Sequence, residues 1–262
     1  MKICGLLGHN INYSKSPIIH NEYYKLKSYD LEYKIFDLEE SEIITFINNL
    51  RKNNIIGFNV TIPYKEKIIK YLDTITYPAN KIKAVNTVLV AENSLLGYNK
   101  DYSGFVRSLK INNLEVKNGD ALIIGAGGAA KAVYYGLLDL KCKSIDITNR
   151  NIDKATAYFG DNCKIIPIDS LKDLSKYNII INCTPLGGKN YINSIPIEVA
   201  TIKKGCVAYD LVYNPTETRF MREAKDRGAI VINGEDMLKF QAYEAADIWA
   251  DYLYSGYYHE AN

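Results

Sequence analysis

Between Ala121 and Val133 the chain reads Ala-Leu-Ile-Ile-Gly-Ala-Gly-Gly-Ala-Ala-Lys-Ala-Val: an apolar run, a glycine turn, then an alanine-rich stretch. Gly125, Gly127 and Ala130 fit the spacing G-x-G-x-x-G/A. In that spacing the first glycine permits a tight turn and the second lets a pyrophosphate reach the backbone. The small third residue lets strand and helix pack closely. The start of the helix, from Gly128 and Ala129 onward, then turns N–H groups and a positive dipole end toward phosphate. Many glycine-rich turns meet the spacing by chance; the strand pattern before it and the helix pattern after it make this one a dinucleotide site.

The tip of the next strand pattern decides which dinucleotide. An NAD site places an acidic residue about 20 residues on, where it binds the ribose 2′-hydroxyl. Here the run is Ile145-Asp146-Ile147-Thr148-Asn149-Arg150-Asn151, and Arg150 stands 25 residues past Gly125. Asp146 falls inside the strand rather than at its tip. An arginine at the tip suits a 2′-phosphate, with Lys154 as a second cation. The alternative is a solvated loop arginine; the placement predicts NADP(H).

The rest of the chain alternates in the same way. Short β-branched runs at Ile3–Gly8, Tyr33–Leu38, Ile55–Ile62, Thr87–Val90, Ser144–Thr148, Lys164–Ile168, Asn178–Asn182, Val207–Val212 and Ala229–Ile232 predict strands. Helical patterns lie between most of them, at Ile18–Lys27, Glu40–Asn49, Lys65–Tyr71, Ala129–Leu140 and Thr218–Arg227. That order predicts βαβ units and mainly parallel sheets, an α/β fold. A hairpin-like stretch, Val88–Gly97, closes the first series, and a helix from about Asp101 opens the second. The expected boundaries are therefore 1–100 for a first domain and 101–235 for the nucleotide domain. A last helix, Asp236 to Trp249, begins a segment, 236–262, expected to return to the first domain.

Bulk composition narrows the partners. Thirty-two Lys and Arg against 30 Asp and Glu leave a net charge of +2. No basic excess points to nucleic acid or a membrane surface, so the expected partner is a small molecule. No apolar run is long enough to span a bilayer, and the start has no apolar segment of signal length. Cys4, Cys142, Cys163, Cys183 and Cys206 are odd in number and widely spaced, which suits reduced thiols in the cytoplasm rather than disulfides or a metal site.

Several polar residues stand where ligands bind. Ser14-Lys15-Ser16-Pro17 reads as a helix start with Ser16 as N-cap and Pro17 at the first helical position; such an end, beside a second hydroxyl at Ser14, also suits a carboxylate. Asn59 and Thr61 share one strand face, and Phe58, Val60 and Ile62 the other. For the helix expected after Pro63, 100° per residue places Lys65 within the stripe of Ile68, Ile69 and Leu72, with Lys67 and Lys70 on the opposite side. A lysine so placed either snorkels out or meets a partner. Gln241 shares a face with Met237, Leu238, Ala245 and Ile248, so its amide needs a partner inside. Asp101, taken alone, reads as the N-cap of its helix. His9, His20 and His259 offer no obvious base, and Cys183 reads as a strand-end core residue.

Taken in order, these stretches resemble the shikimate dehydrogenase family over nearly the whole chain. The resemblance rests on Ser14-Lys15-Ser16-Pro17, Asn59-Val60-Thr61-Ile62-Pro63-Tyr64-Lys65-Glu66, Ala84-Val85-Asn86-Thr87, Asn99-Lys100-Asp101, Gly125–Ala129, Asn149-Arg150, Asn182-Cys183-Thr184-Pro185, Tyr213-Asn214-Pro215 and Gly234–Leu238 with Gln241. It implies NADPH-dependent reduction of 3-dehydroshikimate to shikimate, on the way to chorismate and the aromatic amino acids. It also implies a substrate domain completed by the C-terminal helix, a Rossmann-type NADP domain, and an active site in the cleft between them.

By matching position, the resemblance gives Lys65 and Asp101 as the catalytic pair. Ser14 and Ser16 would hold the substrate carboxylate. Thr61, Asn86, Asp101 and Gln241 would bind ring hydroxyls, with Asn59 and Tyr213 nearby. Gly125, Ala126, Gly127, Gly128 and Ala129 would cradle the pyrophosphate, Asn149, Arg150 and Lys154 the adenosine phosphate end, and Leu211 and Gly234 would flank the nicotinamide. The chain departs from the family at Asn10 and Tyr13 (usually Pro and His), Lys100 (Thr), Tyr102 (Gly), Asn151 (Thr) and Leu211 (often Met). Lys100 and Tyr102 flank Asp101 and bear on substrate preference. Two other readings are an NAD-using quinate/shikimate dehydrogenase, against which Arg150 speaks, and a catalytically silent nucleotide sensor, against which Lys65 and Asp101 speak. The expected state is a monomer or homodimer.

Overall fold

The computed structural model describes residues 1–160 and 162–256; His259 lies outside the described residues. In chain order the elements are β1 (Lys2–Gly8), α1 (Ser16–Lys27), β2 (Leu31–Asp37), α2 (Ile43–Asn49), β3 (Ile55–Val60), β4 (Thr74–Ile75), α3 (Ala79–Ile82), β5 (Thr87–Val90) and β6 (Leu95–Tyr98). They continue as α4 (Lys100–Ile111), β7 (Asp120–Ile124), α5 (Gly128–Asp139), β8 (Ser144–Asn149), α6 (Ile152–Phe159), β9 (Ile165–Pro167), β10 (Ile179–Asn182), β11 (Val207–Asp210), α7 (Arg219–Lys225), β12 (Ile230–Ile232) and α8 (Glu235–Ser255). The chain divides into two compact units: Met1–Gly104 with the residues from Leu238 on, and Phe105–Met237. No described helix is long and apolar enough to cross a membrane.

The second unit follows from its strands, which read Ala-Leu-Ile-Ile, Ile-Ile-Ile and Val-Ala-Tyr and are buried on both faces. Such runs belong in a parallel sheet covered by helices. Every pairing is parallel, in the order β12-β11-β10-β7-β8-β9. Counted from β7 this is the doubly wound order 3-2-1-4-5-6, which reverses direction between β7 and β10. Ligands bind at that switch, outside the carboxyl ends of the strands. Two cores fill the faces, one around Phe105, Ile123 and Tyr209, the other around Leu122, Ile180 and Phe220.

The first unit holds a mixed sheet, β2-β1-β3-β5-β6-β4. β1 pairs parallel with β2 and β3, whereas β5 runs antiparallel to both β3 and β6. The parallel expectation fails here because a short turn joins β5 to β6, and a short turn can only join antiparallel strands. The consequence matters for the site. The residues after β1, after β3, before β5 and after β6 all arrive at one edge of the sheet. Trp249 of α8 packs on the sheet at Gly57, on the face that Asn59 shares by alternation, where an added Cβ would lie 2.0 Å from its indole nitrogen. That nitrogen donates to the Val88 carbonyl at 2.9 Å.

Four local expectations are corrected. The segment after Pro63 is not an α-helix; turns lead into a 3-10 helix at Lys67–Tyr71. An α-helix would give the Lys65 carbonyl to the Ile69 N–H, but Val85 N–H takes it at 2.8 Å. The strand expected to run to Ile62 ends at Val60, and Ile62 lies past it, exposed, without sharing the buried face of Phe58 and Val60. Ser16 is not the N-cap: the helix already includes it, and the cap position is Lys15, whose side chain makes no capping bond. Glu40–Asn49 divides into a 3-10 turn, Glu40–Glu42, followed by α2. The two-residue β4 and four-residue α3 are too short to leave a periodic pattern.

Candidate active site

At the shared edge of the first sheet, Lys65 Nζ meets Asp101 Oδ2 at 2.5 Å. Their side chains are only 19% and 10% exposed, so the pair is largely shielded from water without being sealed off. Lys67 and Lys70 are exposed, as the phase argument expected; Lys67 bonds instead to Glu40. Lys65 therefore points inward from a docked turn rather than from a helix stripe.

Asp101 is free to take this role because it does not cap its helix. Asn99 does: its Oδ1 accepts from Tyr102 N–H at 3.2 Å, while its Nδ2 donates to the Ala84 carbonyl at 2.8 Å. One asparagine thus caps α4 and ties it to the segment carrying Asn86. Asn86 Nδ2 donates to Asp101 Oδ1 at 2.9 Å and toward Gln241 Oε1 at 3.4 Å. Gln241, 7% exposed, spends its own Nε2 on Leu238 O at 2.9 Å. Lys65, Asn86, Asp101 and Gln241 form one polar group fed by three chain segments and α8. Asn59 lies behind it, buried, with Nδ2 on the Asn86 carbonyl at 3.1 Å.

The remaining predicted residues of this unit lie at the same edge without joining that group. Ser14 Oγ donates to Ser16 Oγ at 3.1 Å and accepts from Ser16 N–H at 3.2 Å. Thr61, partly exposed, holds the chain beyond β3 by its N–H to Leu7 O at 2.9 Å. Tyr213 belongs to the other unit. Among the departures, Lys100 lies 3.6 Å from Glu244, which also accepts from Ser103 Oγ at 2.5 Å. His20 is no base: it is fully buried and stacked on Tyr33 at 3.9 Å, and desolvation lowers it to about 3.

In the second unit, the nucleotide residues gather at the carboxyl ends of the parallel strands. Gly125 turns with φ +118°, a conformation that side chains disfavour. Gly127 caps α5 without any side-chain bond, and a Cβ built on it would meet nothing within 4 Å. Open space over an uncapped helix start, with Gly127, Gly128 and Ala129 partly exposed, is what a pyrophosphate needs. Arg150 follows β8 directly and lines an open depression with Asn151, Ile152 and Asp153. Asn151 caps α6 by accepting from Lys154 N–H at 2.9 Å, and Asn149 Nδ2 donates to the Asn151 carbonyl at 2.8 Å. An Asn therefore does the capping work that a Thr would do there. Asp146 is inside, on Lys176 and the Tyr177 hydroxyl, and cannot serve a ribose. Gly234 presses on Leu211, where an added Cβ would lie 2.1 Å from the Leu211 carbonyl. These residues fit a 2′-phosphorylated dinucleotide.

Sequence reasoning missed Asp210, which is 0% exposed. It accepts from Thr218 Oγ1 at 2.6 Å, Asn182 Nδ2 at 2.9 Å and Val212 N–H at 3.0 Å, tying together the loops after β10 and β11. Desolvation pushes its carboxyl up to about 6 against the pull of those three bonds. A lone acidic residue ending a buried strand was the available signal.

Two family models match the chain: "Shikimate dehydrogenase substrate binding domain" over residues 6–88 and "Shikimate / quinate 5-dehydrogenase" over residues 108–201. A curated relative from Clostridium botulinum (strain 657 / Type Ba4), named shikimate dehydrogenase (NADP(+)), is 53% identical over 249 residues, covering 95% of this chain and 96% of that one. A shikimate dehydrogenase crystallised with NADP+ superposes with a TM-score of 0.88 at 38% identity, covering 95% and 90% of the two chains. The Thermus thermophilus enzyme in complex with NADP(H) and shikimate gives 0.87 at 31%, covering 95% and 93%.

Proposed function

The chain belongs to the shikimate dehydrogenase family, and on that premise we propose that it reduces 3-dehydroshikimate to shikimate with NADPH, using Lys65 and Asp101 as the reacting pair. This is a step toward chorismate and the aromatic amino acids. The observation that carries the assignment of the pair is the 2.5 Å contact between an ammonium and a carboxylate inside a group of oriented amides.

When bound, NADPH supplies the hydride to the ketone carbon. The ketone oxygen then gains negative charge and must acquire a proton. Lys65 stabilises that charge as it develops and delivers the proton, and Asp101 orients the ammonium. Ser14 and Ser16 hold the substrate carboxylate at the start of α1. Thr61, Asn86 and Gln241 bind ring hydroxyls, with Asn59 supporting them. Gly125 to Ala129 receive the pyrophosphate, Asn149, Arg150 and Lys154 the 2′-phosphate end, and Leu211 and Gly234 the nicotinamide. None of the five cysteines forms a disulfide, which suits a cytoplasmic enzyme, working as a monomer or homodimer.

The test is oxidation of shikimate and of quinate by the purified protein, each with NADP+ and NAD+. The fastest turnover is expected for shikimate with NADP+. A preference for quinate with NAD+ would replace this reading with that of a quinate dehydrogenase. Absence of shikimate oxidation with both cofactors would leave a nucleotide sensor.

A further inference from the structure

We propose that Thr87, supported by Tyr33, is a positioning residue for the Lys65–Asp101 pair: its hydroxyl links a one-way chain of hydrogen bonds that aims the Asn86 amide at Asp101. The inference rests on the reading of Lys65 and Asp101 as the reacting pair.

An asparagine amide has two look-alike ends, so its orientation must come from its neighbours. Here backbone groups settle it. Asn59 faces the Asn86 carbonyl at 3.1 Å; a carbonyl only accepts, so that end of Asn59 is its NH2. Its oxygen then accepts from the Tyr33 hydroxyl at 2.7 Å. Burial raises the Tyr33 phenol far above its ordinary range, so it remains an O–H donor. The second hydrogen of the Asn59 amide goes to Thr87 Oγ1 at 3.1 Å. Having accepted there, Thr87 donates its own hydrogen to Asn86 Oδ1 at 3.0 Å.

A second backbone group agrees from the opposite side. Lys100 N–H, which only donates, reaches Asn86 Oδ1 at 2.6 Å. That end of Asn86 is therefore oxygen, and its NH2 must face Asp101 Oδ1 and Gln241 Oε1. One carboxylate oxygen of Asp101 is thus committed to Asn86, and the other is left for Lys65. Thr87 is 0% exposed, so its hydroxyl acts through Asn86 rather than by touching substrate. Without it, the Lys100 N–H alone holds the Asn86 oxygen, and the aim and reach of its NH2 toward Asp101 are no longer fixed from two sides.

Thr87→Val keeps the shape and removes the hydroxyl; Thr87→Ser keeps the hydroxyl and removes a methyl. Small displacements of a reacting group are costly, so kcat for shikimate oxidation is expected to fall about tenfold in Thr87→Val. KM for NADP+ stays unchanged, and Thr87→Ser stays within about twofold of wild type in kcat. Melting temperatures of both variants separate lost fold from lost positioning. Wild-type kcat in folded Thr87→Val, or an equal loss in Thr87→Ser, overturns the proposal. If Thr87→Val does not fold, Tyr33→Phe reads the chain from its far end: reduced kcat with unchanged KM for NADP+ supports it, and wild-type kcat overturns it. Lys65→Ala is assayed alongside. Near-normal turnover there removes the reacting pair and this inference with it, whereas an inactive Lys65→Ala beside an unaffected Thr87→Val removes the inference alone.

Discussion

Lys65 commits one of its three ammonium donors to Asp101, which leaves two for an incoming oxygen. Those donors matter most once the oxygen carries charge, so in the role proposed for it the residue acts on the transition state more than on bound substrate. Lys65→Ala is accordingly expected to lower kcat by roughly 10²–10⁴ with little change in KM. Asp101→Asn removes the charge and sets its NH2 against one of two donors, the Lys65 ammonium or the Asn86 amide, and lowers kcat as well. Because the two groups act as a unit, the double variant loses far less than the two single losses combined. Full additivity in steady-state kinetics would mean that they act separately. Arg150 makes a contrasting case, since the role proposed for it is binding alone. Charge-assisted bonds contribute about 1.5–3 kcal/mol, so Arg150→Ala should raise KM for NADP+ by about tenfold or more. Rates with NAD+ should stay as they were; an equal loss with both cofactors would place Arg150 away from the 2′-phosphate.

At the scale of elements, the close fit of α8 on the first sheet is the most exposed to test. The Trp249 ring is fully buried over Gly57, with an indole hydrogen bond to β5. Gly57→Ala forces a methyl into space the ring already fills, and Trp249 cannot move aside without breaking that bond. Overpacking of this kind costs about 1–3 kcal/mol or more. Trp249 is the only tryptophan in the chain, so its fluorescence reports the docking of α8 directly. An unchanged urea midpoint with unchanged emission would show that the sheet yields easily. Such packing was not legible beforehand: Gly57 reads as a strand residue, and nothing in the sequence pairs it with a residue nearly two hundred positions later. Strand runs were legible because burial on both faces demands unbroken apolar stretches, and the glycine turn because its chemistry is local. The inward lysine was legible by its neighbours Tyr64 and Ile68, both buried, although the α-helical reason given for it fails. What hid the true cause was a single bond, Val85 N–H to the Lys65 carbonyl, made by a loop twenty residues away. The caps misread at Ser16 and Asp101 failed likewise: each has a neighbour, Lys15 or Asn99, that takes the position first.

For the whole molecule, the two units have separate cores, and one buried carboxylate gives the second unit a pH dependence of its own. Asp210 has an ordinary value of 3.8 and is pushed to about 6 in the fold, mainly by desolvation. The fold therefore favours the protonated acid. This contribution is fully present below the unfolded value and is lost as pH rises through about 6. Between those limits the unfolded chain releases the proton while the folded chain still holds it. The gap between 3.8 and about 6 corresponds to on the order of 3 kcal/mol. Asp210→Asn removes the titration and keeps the shape. Its oxygen still accepts from Asn182 and Val212, and its NH2 faces Thr218 Oγ1. The variant should gain about 2 kcal/mol of stability relative to wild type as pH rises from about 4.5 to 7.5, the rest of the difference falling below that range. Urea unfolding at several pH values, followed by circular dichroism because Trp249 lies in the other unit, measures that difference. A wild-type-to-variant gap that stays constant with pH would show that Asp210 is already ionised throughout, held by its three donors against the cost of burial.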